Sequence, residues 1–241
     1  MKKLRFLGFT ISEVLITLII LGVLYALTVP ILQYNYHRRT VQAGFADVFR
    51  EFNKALFNYS VKLKCQGKLV CTGLFDEGKN AAAEIAGEFQ TVNEGTNCWD
   101  GRKINNNIDN SGEETDLNDL NCFIDGKNRI FAIQPVSNCS TDFFNATGSN
   151  AGKKHKLQNS CGYLFVDLNG KKAPNAFGMD VFAFIITDSA TAYLYPLGGK
   201  LLNPSYSNLS TWAGTCGDGS QEGRTCAGRI VEDGWNVNYM K

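Results

Sequence analysis

Apolar residues dominate the chain from Phe9 to Leu32, a run of 24 residues whose single charge is Glu13. As a helix rising 1.5 Å per residue this run is about 36 Å long, enough to cross a hydrocarbon core of about 30 Å. The pattern then becomes amphipathic. Val41, Phe45, Val48, Phe49, Phe52, Leu56, Tyr59 and Leu63 recur at helical spacing, with only Gly44 to weaken the run. One helix over about 10–64 is the economical reading, its aromatic stripe facing a core. The stretch 66–130 is rich in Gly, Asn and Asp and reads as turns with a short helix over 80–89. Strands are expected at 129–133, 162–167, 181–187 and 192–195, the last two paired antiparallel through an Asp188-Ser189 turn. A long helix followed by a small antiparallel sheet is an α+β arrangement.

Composition sharpens this picture. The formal charge is +1 over 241 residues, and without residues 1–8, which carry Lys2, Lys3 and Arg5, 21 basic and 23 acidic residues remain. That balance predicts no specific nucleic-acid partner. Eight cysteines (Cys65, Cys71, Cys98, Cys122, Cys139, Cys161, Cys216 and Cys226) all follow the helix, with no C-x-x-C pair. An even set of this kind points to disulfides in an oxidising compartment, against the alternative of reduced buried thiols. Of 105 possible connectivities, pairing of sequence neighbours is the simplest. Domain organisation follows as 1–8, a basic leader; 9–64, a membrane and assembly helix; and 65–241, an exported globular head.

A cleaved secretory signal has a shorter apolar core and a small-x-small site, which Tyr25 to Val29 do not offer. A plain signal anchor fits the length but leaves Glu13 unexplained. A carboxylate within a membrane helix costs roughly 2.5–3.5 kcal/mol on insertion scales, so it is a functional candidate that requires a partner. No Lys or Arg stands at helical spacing inside the segment. A cut after Gly8 creates a cation, the α-amino group of Phe9, with a reference pKa of about 7.7–8.0. In low dielectric that amine attracts a carboxylate strongly. Between helices staggered by about a turn, it meets a neighbour's Glu13, which then sets the register of stacking. Pro30 lacks the donor for residue 26. It predicts either a bend, with Thr28 re-satisfying the carbonyl, or a helix end at the membrane surface. Lys2, Lys3 and Arg5 before the span are offset by Arg38 and Arg39 after it, so the cysteines rather than the charges place the head outside.

Gly8-Phe9-Thr10-Ile11-Ser12-Glu13-Val14-Leu15, after a short basic leader, resembles the processing motif of type IV pilins and type II secretion pseudopilins. The resemblance implies cleavage after Gly8 by a prepilin peptidase and methylation of Phe9. It also implies assembly through Thr10 and Glu13, Glu13 recognising the terminal amine of the adjacent subunit. Gly22 and Pro30 stand where family members usually have a helix-weakening glycine and proline; Ile11 replaces the commoner leucine. Implied partners are other pilin or pseudopilin subunits, the peptidase, an inner-membrane assembly platform and membrane lipid. The expected location is the inner membrane with the head outside, in a periplasmic or surface filament. The implied fold is pilin-like, the helix packed across the sheet. Asp167-Leu168-Asn169-Gly170, Pro174-Asn175 and Gly178-Met179-Asp180-Val181-Phe182 also resemble a segment of many pilin-like proteins, as does Ala227 to Trp235.

Asp167, Asn169 and Asp180 are candidates either for turn capping or for calcium, the one cofactor weighed. Asn107-x-Asp109-x-Ser111-Gly112 opens like an EF-hand loop, but its twelfth position is Asn118 rather than glutamate. His37 and His155 lie in no nucleophile or metal motif, and no P-loop, Rossmann, H-E-x-x-H or G-x-S-x-G pattern occurs. Lys153-Lys154-His155-Lys156 reads as a solvated loop, against the alternative of a contact with DNA or a surface. The sequence therefore predicts a filament subunit and no enzyme. A filament-mounted or membrane-anchored binding protein and an anchored exported enzyme are the alternatives.

Overall fold

The computed structural model describes residues 10–109, 112–140, 157, 159–189, 192–198, 216 and 222–240. Helix α1 runs from Ile11 to Lys62, 52 residues without a break. The chain divides into two compact units, Met1–Thr40 and Val41–Lys241, so the second half of α1 belongs to the same unit as the sheet. The end of α1 is set by its backbone. Lys64 takes a left-handed φ of 60°. The Lys64 N–H bonds the Val61 carbonyl at 2.9 Å and the Cys65 N–H bonds that of Ser60 at 2.8 Å. These are the two bonds of a Schellman cap, here without its usual glycine. Leu63 falls beyond the helix and is 48% exposed, so the apolar stripe ends one turn before the sequence pattern does.

Among the described residues eight strands follow: β1 (Thr91–Gly95), β2 (Ile104–Asn105), β3 (Glu114–Thr115), β4 (Asn121–Asp125), β5 (Ile130–Pro135), β6 (Ser160–Asp167), β7 (Val181–Thr187) and β8 (Leu194–Pro196). Six form an antiparallel sheet in the order β1-β4-β5-β6-β7-β8, while β2 and β3 make a separate ribbon. Helix α2 (Ala81–Ala86) begins where the Asn80 side chain accepts the Ala83 N–H at 3.1 Å. Helix α3 (Cys226–Glu232) closes the described chain. The later strands lie within a few residues of their expected positions, and β7 with β8 is antiparallel as expected. Their connection is longer than an Asp188-Ser189 turn, because Thr187 N–H bonds the Tyr193 carbonyl at 2.7 Å.

Alternation along the strands sends side chains to two buried faces. On one face the rings of Phe182 and Phe184 lie 5.2 Å from that of Phe45, and Phe131 stacks on Phe52 at 5.9 Å. The other face carries Ile130, Ala132, Val181, Ala183 and Ile185 against Trp99, Ile104, Leu117 and Phe177. Coverage of both faces explains why every residue of β7 is buried. Each fully buried Phe or Ile of these layers contributes about 1.5–3 kcal/mol. Asn53 of α1 accepts the N–H groups of Tyr193 (2.7 Å) and Leu194 (3.1 Å), helping to occupy the outer edge of the sheet.

Four disulfides join sequence neighbours: Cys65–Cys71, Cys98–Cys122, Cys139–Cys161 and Cys216–Cys226. The longer two close loops of 24 and 22 residues. Each such closure restricts the unfolded chain by about 3 kcal/mol. The reading of 66–130 as turns is corrected by β1 to β4. In β1, Thr-Val-Asn-Glu-Gly has little apolar content and no inward face; only Thr91 is part-buried, and the strand is held by pairing with β4 and by the Thr91 hydroxyl bond to the Ala86 carbonyl.

Candidate functional site

Gly8 and Phe9, the expected processing residues, lie outside the described residues, as do Ser111 and the basic run Lys153–Lys156. The adjoining assembly residues are described. Thr10 and Glu13 form a reciprocal cap at the start of α1. The Thr10 N–H and the Thr10 hydroxyl both donate to Glu13 Oε2 at 2.8 Å, while the Glu13 N–H donates to Thr10 Oγ1 at 3.3 Å. This is the capping-box arrangement, whose T-x-x-E signature was legible in the sequence. Glu13 is thus hydrogen-bonded within its own chain by neutral donors, which satisfy its oxygen without neutralising its charge.

From Ile11 to Leu32 the large apolar side chains other than Val29 are exposed within the chain. Leu18, Ile19, Ile20 and Leu21 are all more than half exposed. Successive helical residues turn by about 100°, so four in a row cover the circumference. An apolar surface on all sides suits lipid or other apolar helices rather than water. The helix is long and apolar enough to span a bilayer. Gly22 meets no other group within 4 Å of the position a Cβ would take.

Helix α1 continues through Pro30, which excludes the helix end weighed there. Thr28 Oγ1 donates to the Leu24 carbonyl at 2.8 Å rather than to that of Ala26, so the expected repair of the proline gap is not made.

The Asp167–Asp180 segment is a buried turn. Asp167 Oδ2 accepts the Trp99 indole N–H at 2.9 Å and Oδ1 accepts the Asn169 N–H at 3.1 Å. Asp180 Oδ1 accepts Ala176 N–H (2.8 Å), and Oδ2 accepts Asn175 N–H (2.9 Å) and the Asn169 amide (3.0 Å). Each carboxylate oxygen already faces a donor, which favours the turn-capping reading over calcium for Asp167, Asn169 and Asp180. Gly170 holds φ at +69°, and Gly178 at +82° with Cys226 Sγ 2.8 Å from the position of a Cβ, so both turns require glycine. Burial pushes both carboxyls up, and the charge of Asp180 adds to the effect on Asp167. Asp180 reaches about 6. Trp99, fully buried, was not singled out in the sequence, and a lone tryptophan in a Gly-rich stretch carries no signal for this role.

An ion network unrecognised in the sequence joins α1 to the β4–β5 hairpin. Arg129, 5% exposed, pairs with Asp125 at 2.6 Å, Glu51 at 2.5 Å and Asp47 at 3.3 Å. Lys127 pairs with Asp47 at 2.5 Å and Glu51 at 2.8 Å. The hydrogen bond from Lys127 is the main cause that holds Asp47 below its ordinary range. Burial alone would raise Glu51, but hydrogen bonds from Arg129 and Lys127 outweigh it and leave it lowered. The signal was the i,i+4 acid pair on α1 facing a K-x-R pair, which requires knowing that the two elements meet.

No protein family, no curated protein and no solved structure matches the chain. What is established is the layout: a long N-terminal apolar helix, an antiparallel sheet packed on its second half, and four disulfides. The disulfides indicate an oxidising, extracytoplasmic setting for the unit that carries them.

Proposed function

We propose that the chain is a structural subunit of a type IV pilus or of a type II secretion-type pseudopilus. It inserts in the inner membrane with its disulfide-bonded unit outside, is cut after Gly8 by a prepilin peptidase, and is methylated at Phe9. An inner-membrane platform then stacks the subunits through α1. The observation that carries the reading is the helix itself. It is apolar around its whole circumference, and its lone carboxylate stands five residues into the mature chain. Such a surface is satisfied by lipid before assembly and by neighbouring helices after it, so one segment serves both states.

Glu13 then has two roles in sequence. In the free subunit it caps α1 through Thr10. In the filament its charge meets the amine of the adjacent Phe9 and fixes the axial register. Glutamine at position 13 separates the two, since it serves a capping box as well as glutamate but carries no charge. Both Glu13→Gln and Glu13→Leu are expected to insert normally and to enter filaments at a tenth of the wild-type level or less, measured by immunoblot of sheared filaments. Wild-type incorporation of Glu13→Gln would reduce Glu13 to a helix cap.

A further inference from the structure

A cavity of about 350 Å³ opens where α1, the corner between α2 and β1, and the β4–β5 turn converge. Its volume is at the small end of the usual range for ligand pockets. Phe89 forms part of its wall, held at 5.2 Å from both Phe123 and Phe131. That part of the wall is held in place by the ring cluster.

The charges around it are mostly spent. Glu51 and Asp125 are engaged by Arg129, and Glu88 by Lys62. Lys127 is engaged by Asp47 and Glu51. Three lining side chains have no hydrogen bond or ion pair among the described residues: Lys54, Asn58 and Gln90. Lys54 and Asn58 stand at i and i+4, so both rise from one face of α1, while Gln90 comes from across the cavity. The free groups are one ammonium and two primary amides. An ammonium selects an anion; each amide offers a donor pair and an acceptor, the complement of a hydroxyl.

We propose that this pocket binds a small hydroxylated carboxylate, its acid group at Lys54 and its hydroxyls at Asn58 and Gln90. Two sources share that chemistry: a sugar acid of a glycan and a free open-chain hydroxy acid. The site lies wholly within the unit that starts at Val41 and does not depend on filament assembly.

The test is titration of the full chain in detergent micelles, followed by the backbone amide signals of Phe89 and Gly126. Probes are galacturonate, gluconate and the neutral sugar galactose. A ligand of this size is expected to have a Kd of about 1 mM. Galacturonate or gluconate is expected to bind at that level, and galactose about 5-fold more weakly, the worth of one exposed ion pair. Preference for the ring or for the open chain identifies the source. Lys54→Gln is expected to bring the acid down to the affinity of galactose and to leave galactose unchanged. Absence of signal displacement by either acid at 20-fold that Kd would overturn the proposal. So would equal binding of galactose, or an unaltered acid affinity in Lys54→Gln.

Discussion

Thr10 and Glu13 are explained by local geometry as a helix cap, and the assembly role proposed for Glu13 is a second task beyond it. Their reciprocal bonds satisfy donors that every helix N-terminus leaves open. A residue with only that task gains from its charge no more than the helix-dipole attraction, about 0.3–1 kcal/mol. The same question applies to the two carboxylates under Trp99. Asp180 is 1% exposed and titrates near 6, because burial disfavours its charge more than its three hydrogen bonds favour it. A carboxyl raised in the folded state contributes stability that is complete below its unfolded value of 3.8 and is lost as pH rises through about 6. From that interval the contribution is about 3 kcal/mol. Asp47 and Glu51 are lowered and oppose it, since their contribution is lost as pH falls. The comparison must therefore be made against Asp180→Asn. The stability advantage of the wild type over this variant, from urea midpoints in detergent, is expected to be larger at pH 4.5 than at pH 7.5. A difference that is constant or grows with pH would contradict the shift.

At the scale of elements, α1 was legible over its whole length, because the apolar run is long enough to span a bilayer and the stripe that follows it is 3.6-periodic. Only its last residues were misplaced: the cap depends on the backbone of Lys64, which has no sequence mark. Strands β5, β6 and β7 were legible as runs of branched and aromatic residues. β1 was not, since Val92 is its sole large apolar residue and is 74% exposed. α3 was hidden too, as seven residues beginning at a disulfide cysteine give no periodicity to read. The tie between α1 and the β4–β5 hairpin became visible only once both were placed. It yields a contrast between two cations two residues apart. Arg129→Ala leaves Asp125 buried without its partner and is expected to cost about 3–5 kcal/mol. Lys127, 56% exposed, pairs with the same acids in water, so Lys127→Ala is expected to cost under about 1 kcal/mol. Denaturant midpoints of the two variants check this, and equal losses would show that burial does not govern the network.

The whole molecule combines a helix that needs an apolar environment with a disulfide-bonded unit that needs an oxidising one. Neither requirement depends on the pairing of individual cysteines, yet neighbour pairing has a consequence. Each bridge closes within a short stretch of chain, so no cysteine has to wait for a distant partner. In the proposed filament subunit these parts are joined by the cut after Gly8, which would give Glu13 a cation to find. The direct measurement is intact mass with N-terminal sequencing of the polypeptide isolated from its own cell envelope. The account predicts a chain that begins at Phe9, carries one methyl group on its amine and has four disulfides. A chain that still begins at Met1 and keeps Lys2, Lys3 and Arg5 would contradict it.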